Sequence, residues 1–267
     1  MQEWERIRSL RTDLTDYVVH FTKWRWIHKG HSIEGRPPMA KPIEVLLEIL
    51  HDGCIRPTFA AMPNRYNKTP QPTIYGPDPA VCLTEQTLAS IVECSVTTSR
   101  YSGYGIAYHK VALHELGGRP VIYGSEDMLG RKLRAGEEGF EDGKKIYQEG
   151  LPLLCQHLFA LYRPIVATSY DYPIDFTWEK EWRIKPPKGT LPVALEHSML
   201  AQKGISTGAI IVQKDEDADV VRKKLYELEV AGKKWINLVG RIISLEEAKR
   251  RLETGDKQCA RIETWPE

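Results

Sequence analysis

Glu179, Glu181 and Arg183 alternate through the run Trp178-Glu179-Lys180-Glu181-Trp182-Arg183-Ile184. In a strand, successive side chains point to opposite faces. Trp178, Lys180, Trp182 and Ile184 then share a largely apolar face, and Glu179, Glu181 and Arg183 share the other. A carboxylate pair beside a guanidinium, on a strand with a heavy aromatic anchor, is a way of holding an acid rigidly at a cleft. The plainer alternative is an edge strand with a solvated polar face, on which Arg183 merely balances the two acids.

A second constellation lies far upstream, in Tyr17-Val18-Val19-His20-Phe21-Thr22 and the basic, aromatic run Lys23-Trp24-Arg25-Trp26. Its β-branched and aromatic residues read as a strand. Alternation places Tyr17, Val19 and Phe21 on one face and Val18, His20 and Thr22 on the other. An imidazole and a hydroxyl side by side suit a ribose or a phosphate edge. A hydrogen-bonded core histidine is the plainer reading of His20, and the run after it equally reads as a loop with aromatics folded onto the core. A third feature, Tyr101-Ser102-Gly103-Tyr104-Gly105, has neither the spacing nor the helix start of a phosphate loop. It reads as a tyrosine-bearing approach to a strand, or as a simple turn with tyrosines packed nearby.

The elements that must position these groups are legible from punctuation and periodicity. Residues 30–42 and 61–79 read as loops, the second rich in proline and polar residues. Between them Ile43, Leu46, Leu47 and Leu50 fall at helical spacing, and Gly53 stands where a helix C-cap belongs. Ala80–Leu83 reads as a buried strand, with Thr84 placed to cap a helix running through Cys94. Tyr104–Tyr108 and Pro120–Tyr123 read as strands around a Gly117-Gly118 turn, and 124–145 as a charged surface excursion. Leu151–Leu161 reads as helical, and Ile165-Val166-Ala167 starts a strand. Further on come a strand at Ala209–Val212, a helix at Asp217–Leu228 with acids in its first turn, and a strand at Trp235–Val239. A last helix opens on the capping box Ser244-Leu245-Glu246-Glu247. There is no repeat, low-complexity tract or clear linker. The expectation is α+β: one domain over 1–267, with a C-terminal αβ extension at about 205–255.

Whole-chain numbers bound the function. At 267 residues, 42% hydrophobic and 27% charged, the composition is that of an ordinary globular protein. A formal net charge of +1 commits the chain to neither nucleic acid nor acidic membrane, so any basic footprint must be local. No apolar run approaches the roughly 18 residues of a membrane span, and the N-terminus lacks a secretory pattern. Five scattered cysteines (Cys54, Cys82, Cys94, Cys155, Cys259) show no metal-binding spacing. The expectations are a cytoplasmic location, no membrane association and no metal. The fingerprints of Rossmann dehydrogenases, P-loop hydrolases, α/β-hydrolases and zincins are all missing.

In order, "HFT" (His20–Thr22), the helix ending "EILHDGCIRP", "VCLTE" (Val81–Glu85), "YGIAYHK" (Tyr104–Lys110), "RPVIY" (Arg119–Tyr123), "EWRI" (Glu181–Ile184) and "GAIIV" resemble the AbiGi-like abortive-infection proteins of bacterial phage resistance. The resemblance spans roughly residues 17 to 225. More distantly, His20, Tyr104 and Glu181 fall in the order of the H-Y-E ADP-ribosyltransferases, and Glu179-Lys180-Glu181 looks like their E-x-E signature. The opening also resembles DarT-like enzymes, although its order is His-Phe-Thr rather than Thr-His.

The ADP-ribosyltransferase resemblance implies a split mixed β-sheet core flanked by helices, and NAD as substrate. It also implies Glu181 as the catalytic acid and His20, Thr22, Tyr104, Glu179 and Arg183 as NAD-binding residues. Cleaving the nicotinamide–ribose bond builds positive charge on the ribose. A fixed carboxylate, Glu181, stabilises that cation. Tyr104, with Tyr101, Tyr108 and Tyr123 as rivals, stacks on nicotinamide, His20 with Thr22 binds the other ribose, and Arg25, Arg56 or Arg183 takes the pyrophosphate. The acceptor is open among protein, DNA, RNA, a small metabolite and water. Two further readings stand beside this one. One is a non-catalytic regulator of antitoxin or sensor type, or an enzyme controlled by such a partner. The other is a single-stranded nucleic-acid binder using Lys23–Trp26.

Overall fold

The computed structural model describes residues 14–23, 25–26, 39–59, 61–63, 70–96, 101–161, 177–205 and 208–265. The strand expected at Ile165–Ala167 and the side chains of Trp24, Arg25, Trp26 and Trp178 lie outside the described residues. In chain order the main elements begin with strand β1 (Tyr17–Phe21), helix α1 (Pro42–Asp52), strand β2 (Val81–Thr84), helix α2 (Leu88–Val96) and strand β3 (Gly105–His109). Helix α3 (Lys110–Glu115) and strands β4 (Arg119–Pro120), β5 (Gly130–Lys132), β6 (Tyr147–Glu149) and β7 (Glu181–Ile184) follow. Strand β8 (Gly208–Val212), helix α4 (Asp215–Val230), strand β9 (Val239–Ser244) and helix α5 (Leu245–Glu253) end the series. Helices and mostly antiparallel strands thus bear out the α+β class. Among the described residues, no helix is long and apolar enough to cross a membrane.

The chain divides into two compact units: residues 1–55, 85–113 and 192–267 form one, and residues 56–84 and 114–191 the other. In the first unit the strand order is β9-β8-β3-β1. β1 pairs antiparallel with β3, β3 antiparallel with β8, and β8 parallel with β9. The alternation expected for Tyr17–Phe21 is realised. Tyr17, Val19 and Phe21 enter a core with Ala107, Ala209 and Ile211, covered by Leu88, Ile91 and Val92 of α2 and by Leu245 and Ala248 of α5. Val18, Ile106, Tyr108 and Ile210, of opposite parity, are also buried. Both faces of this sheet are therefore covered, and its strands read as near-continuous apolar runs. Gly105 is required by close approach, because a Cβ there would stand 2.6 Å from the His20 carbonyl oxygen.

In the second unit β7 lies between β2 and β4, antiparallel to both, with Glu181 opposite Thr84 and Arg183 opposite Cys82 and Arg119. A small core of Tyr75, Leu129, Tyr147 and Phe159 supports the β5–β6 hairpin and the parallel pair Ile122–Gly124 with Phe159–Leu161.

Several boundaries depart from the periodicity. The stretch expected as a helix at 151–161 is a 3-10 turn, Leu153–Leu158, leading into the strand Phe159–Leu161. The strand expected at Trp235–Val239 is a 3-10 turn (Lys234–Leu238), and the strand begins at Val239. The 61–79 loop contains a short hairpin, Ala61–Pro63 with Pro70–Pro72. Thr84 does not cap the following helix. That hydroxyl donates to the Glu179 carbonyl, and Thr87 Oγ1 accepts from the Ser90 N–H instead. By contrast α1 ends as expected, with Gly53 at φ 72° donating its N–H to the Ile49 carbonyl. Gly53→Ala places a Cβ in left-handed backbone, 3.1 Å from Trp235 Nε1. It should lower stability by about 1 kcal/mol, read as a shifted urea midpoint in the full chain.

Candidate functional site

The expected site residues divide between the two units. His20, Thr22 and Tyr104 belong to the first, and Glu179, Glu181 and Arg183 to the second.

In the second unit the alternation drawn through Trp178–Ile184 holds only for its last four residues. Thr177–Glu179 forms a 3-10 turn and the strand starts at Glu181. Lys180 between them sits at φ 45°, in left-handed backbone that is strained for a residue with a Cβ. The turn is tied down by the Thr84 hydroxyl on the Glu179 carbonyl. Glu179 consequently does not share a strand face with Glu181 and Arg183. The solvated-edge alternative also fails, because β7 has strand neighbours on both sides and Arg183 is only 4% exposed.

Burying a guanidinium requires that its donors be satisfied. Arg183 Nε donates to Glu181 Oε1 at 2.8 Å and Nη2 to Oε2 at 3.0 Å, a fork-to-fork pair between residues on one strand face. Nη1 donates to the His157 carbonyl at 3.0 Å and the Phe159 carbonyl at 2.7 Å. Burial pulls the Arg183 pKa down, but the charge and hydrogen bonds of Glu181 outweigh it, so the net shift is upward. This places Arg183 as the mate of Glu181 and leaves little of it for a pyrophosphate.

Glu181 is the more accessible partner, with its side chain 17% exposed against 5% for Arg183. Its backbone N–H donates to the Tyr123 hydroxyl at 3.1 Å. Chiefly by burial, Tyr123 is pushed up to about 12, the Glu181 N–H working against the shift. A carboxylate has about four acceptor positions, and a bidentate arginine occupies two. Glu181 therefore keeps acceptor capacity in a fixed orientation. His157, whose carbonyl holds Arg183, is itself buried, and that burial keeps its imidazole below the usual histidine range.

In the first unit, groups expected to bind ligand are committed to the fold. Thr22 is 2% exposed, and its hydroxyl is within reach of two backbone acceptors, the carbonyls of Pro42 at 2.9 Å and Tyr104 at 3.1 Å. The Ser102 hydroxyl donates to the Thr22 carbonyl at 2.6 Å. The Tyr104 hydroxyl donates to Asp217 Oδ2 at 2.8 Å, in the first turn of α4. Burial foremost, and then that hydrogen bond, raises the Tyr104 pKa. His20 is half-buried on β1, opposite Ile106 of β3. Among the other tyrosines, Tyr101 stacks on Phe21 with centroids 4.5 Å apart and Tyr108 is fully buried. Tyr123 is thus the rival that stands beside the expected acid. Its position in "RPVIY" gave no sign of this, since its hydroxyl meets a backbone group remote in sequence. Of the remaining arginines, Arg56 is exposed.

Among the described residues no group of three or more His, Cys, Asp and Glu could hold a metal ion. The chain matches no family model, no curated protein and no solved structure.

Two outcomes follow from this geometry. Arg183→Met leaves Glu181 without its counter-charge and two carbonyls without donors. It should cost about 3 kcal/mol or more in a urea titration, more than Glu181→Gln, which keeps a polar partner for the guanidinium. Tyr123 and Tyr147 each titrate near 12 in the folded chain, whereas an unfolded tyrosine titrates near ~10. Their folded pKa values are raised, so this contribution to stability is complete below pH ~10 and is lost as pH rises towards about 12. Tyrosinate absorbance should lag until base unfolding and then jump.

Proposed function

We propose that this chain is an NAD-dependent ADP-ribosyltransferase or NAD-cleaving effector of a bacterial anti-phage or toxin–antitoxin system, with a split-sheet fold of that type. It breaks the nicotinamide–ribose bond, and Glu181 is its acid. One observation carries the reading: Glu181 is partly exposed, and its carboxylate is locked by an arginine that is itself anchored on two carbonyls. A developing ribosyl cation is best met by a charge that need not reorganise when it forms. Arg183 supplies that rigidity. The acceptor positions left over can take ribose hydroxyls. Tyr123, whose hydroxyl accepts from the Glu181 N–H, is the tyrosine this reading assigns to covering the leaving group.

A second reading is favoured by a separate observation. The Thr22 and Tyr104 hydroxyls, which a ligand would need, are bonded to the protein itself. A non-catalytic regulator that keeps the fold would have no use for them as ligand contacts.

Nicotinamide release from NAD by the purified full chain separates the two. The enzyme reading expects release by wild type and a loss on the order of 100-fold or more in Glu181→Gln, with an unchanged circular dichroism spectrum. Absence of both NAD binding and NAD consumption by folded wild type would overturn it in favour of the regulator. Full activity in Glu181→Gln would keep the enzyme and remove Glu181 as its acid.

A further inference from the structure

The charged segment around β5 and β6 is more than a surface excursion. Residues of the second unit line an open concavity of about 600 Å³, with Arg131, Lys132, Arg134, Lys144 and Lys145 as its cations and Phe140 and Pro72 on its wall. Asp142 is the one acid in that lining. The volume falls within the roughly 300–1,000 Å³ of small-molecule sites.

The cations are not equivalent. Arg131 is held by Glu137 at 2.6 Å and Gln148 at 3.1 Å, and Lys144 is paired with Glu141. The Lys144 and Lys145 ammonium groups lie 5.3 Å and 5.1 Å from the ring centroids of Phe59 and Tyr75. Lys132 and Arg134 are exposed, and among the described residues their side chains make no ion pair or hydrogen bond. Arg134 is nonetheless fixed at its backbone, where its N–H donates to Glu137 Oε2 at 2.6 Å. The hairpin thus combines cations locked by neighbours with two, Lys132 and Arg134, whose side-chain donors are not bonded among the described residues, the Arg134 charge acting on Glu137 only at longer range.

We propose that this concavity binds a compact nucleotide carrying a polyphosphate chain. The chain lies on Lys132 and Arg134, with Arg131, Lys144 and Lys145 completing the positive wall, and the base packs on Phe140. Guanidinium matches phosphate oxygens in pairs, and lysine adds a point charge. A compact ligand fits better than a nucleic-acid strand because of where the acids lie. The same segment carries Glu137, Glu138, Glu141 and Asp142, so five cations stand against four carboxylates. Only one of the four lines the concavity. A polyanion running on across the hairpin would meet the other three, whereas a short polyphosphate keeps its charge inside the cationic wall. This proposal stands apart from NAD cleavage, which concerns Glu181.

The test is calorimetric titration of the full chain at low ionic strength without divalent cations, using ATP, inorganic tripolyphosphate, NAD and a single-stranded oligodeoxynucleotide. ATP and tripolyphosphate should each bind at one saturable site. Lys132→Ala/Arg134→Ala should weaken both at least 10-fold with an unchanged urea midpoint, since both side chains are exposed and, among the described residues, make no hydrogen bond. Phe140→Ala should weaken ATP and leave tripolyphosphate unchanged. No saturable ATP binding, or ATP binding untouched in the double variant, would overturn the proposal. Displacement of ATP by an equal concentration of NAD would overturn it too, because two phosphates would then suffice. Equal displacement by the oligonucleotide would do so in favour of a strand. ATP affinity unchanged in Phe140→Ala would remove the base and with it the nucleotide.

Discussion

A guanidinium that is almost wholly buried must have its donors satisfied, and the second unit is arranged to do this. Arg183 sits on a strand with neighbours on both sides, so solvent cannot solvate it. Glu181 answers its charge from two residues earlier on the same strand face, and the His157 and Phe159 carbonyls answer the remaining nitrogen. The alternation of a strand is what makes the pair at i and i+2 meet. The same bonds tie β7 to the 3-10 turn and strand at 153–161, so one side chain fastens distant segments together. Removing water from such a pair costs several kcal/mol for each ion, and geometry must repay it. Two parallel bonds and two carbonyl acceptors are the repayment.

The first unit handles its polar groups differently. It has no comparable buried ion pair among its described core residues; short hydroxyl-to-backbone bonds close its corners. Thr22, Ser102 and Tyr104 knit the end of β1 to the approach of β3, and Pro42 brings the start of α1 into the same knot. Tyr104 then fastens to Asp217 at the head of α4. Buried polar groups are nearly always bonded, and these residues show how a pattern that looks like ligand chemistry can be absorbed by that requirement. Types and order drew attention to Thr22 and Tyr104; backbone carbonyls took up the first hydroxyl and the Asp217 carboxylate the second.

Element-level features were legible wherever the cause is local. The helix at 42–52 and its glycine cap follow from a 3.6-residue apolar period and one backbone conformation that glycine adopts without strain. The Ser244 cap, whose hydroxyl accepts from the Glu247 N–H, is likewise written in four consecutive residues. The reading failed where a distant partner decides. Thr84 looks like a helix cap, but the Glu179 carbonyl competes for its hydroxyl, and Thr87 is left to do the capping. Apolar runs at 151–161 and 235–239 satisfy helix and strand patterns over short windows alike, and packing resolved them into 3-10 turns and strands.

The sequence by itself determined the α+β class, the apolar face of Tyr17, Val19 and Phe21 on the 17–21 strand, and the shared strand face of Glu181 and Arg183. Each of these depends only on residue type and a period of two or 3.6. Tertiary structure alone decided that Arg183 is buried and anchored on carbonyls, because no local rule says which strand has neighbours on both sides. It alone placed Lys180 in left-handed backbone and broke the alternation before Glu181. It also turned a nearly neutral charged segment into a cationic concavity, since a hairpin can line its inside with lysine and arginine while most of its acids lie outside that lining.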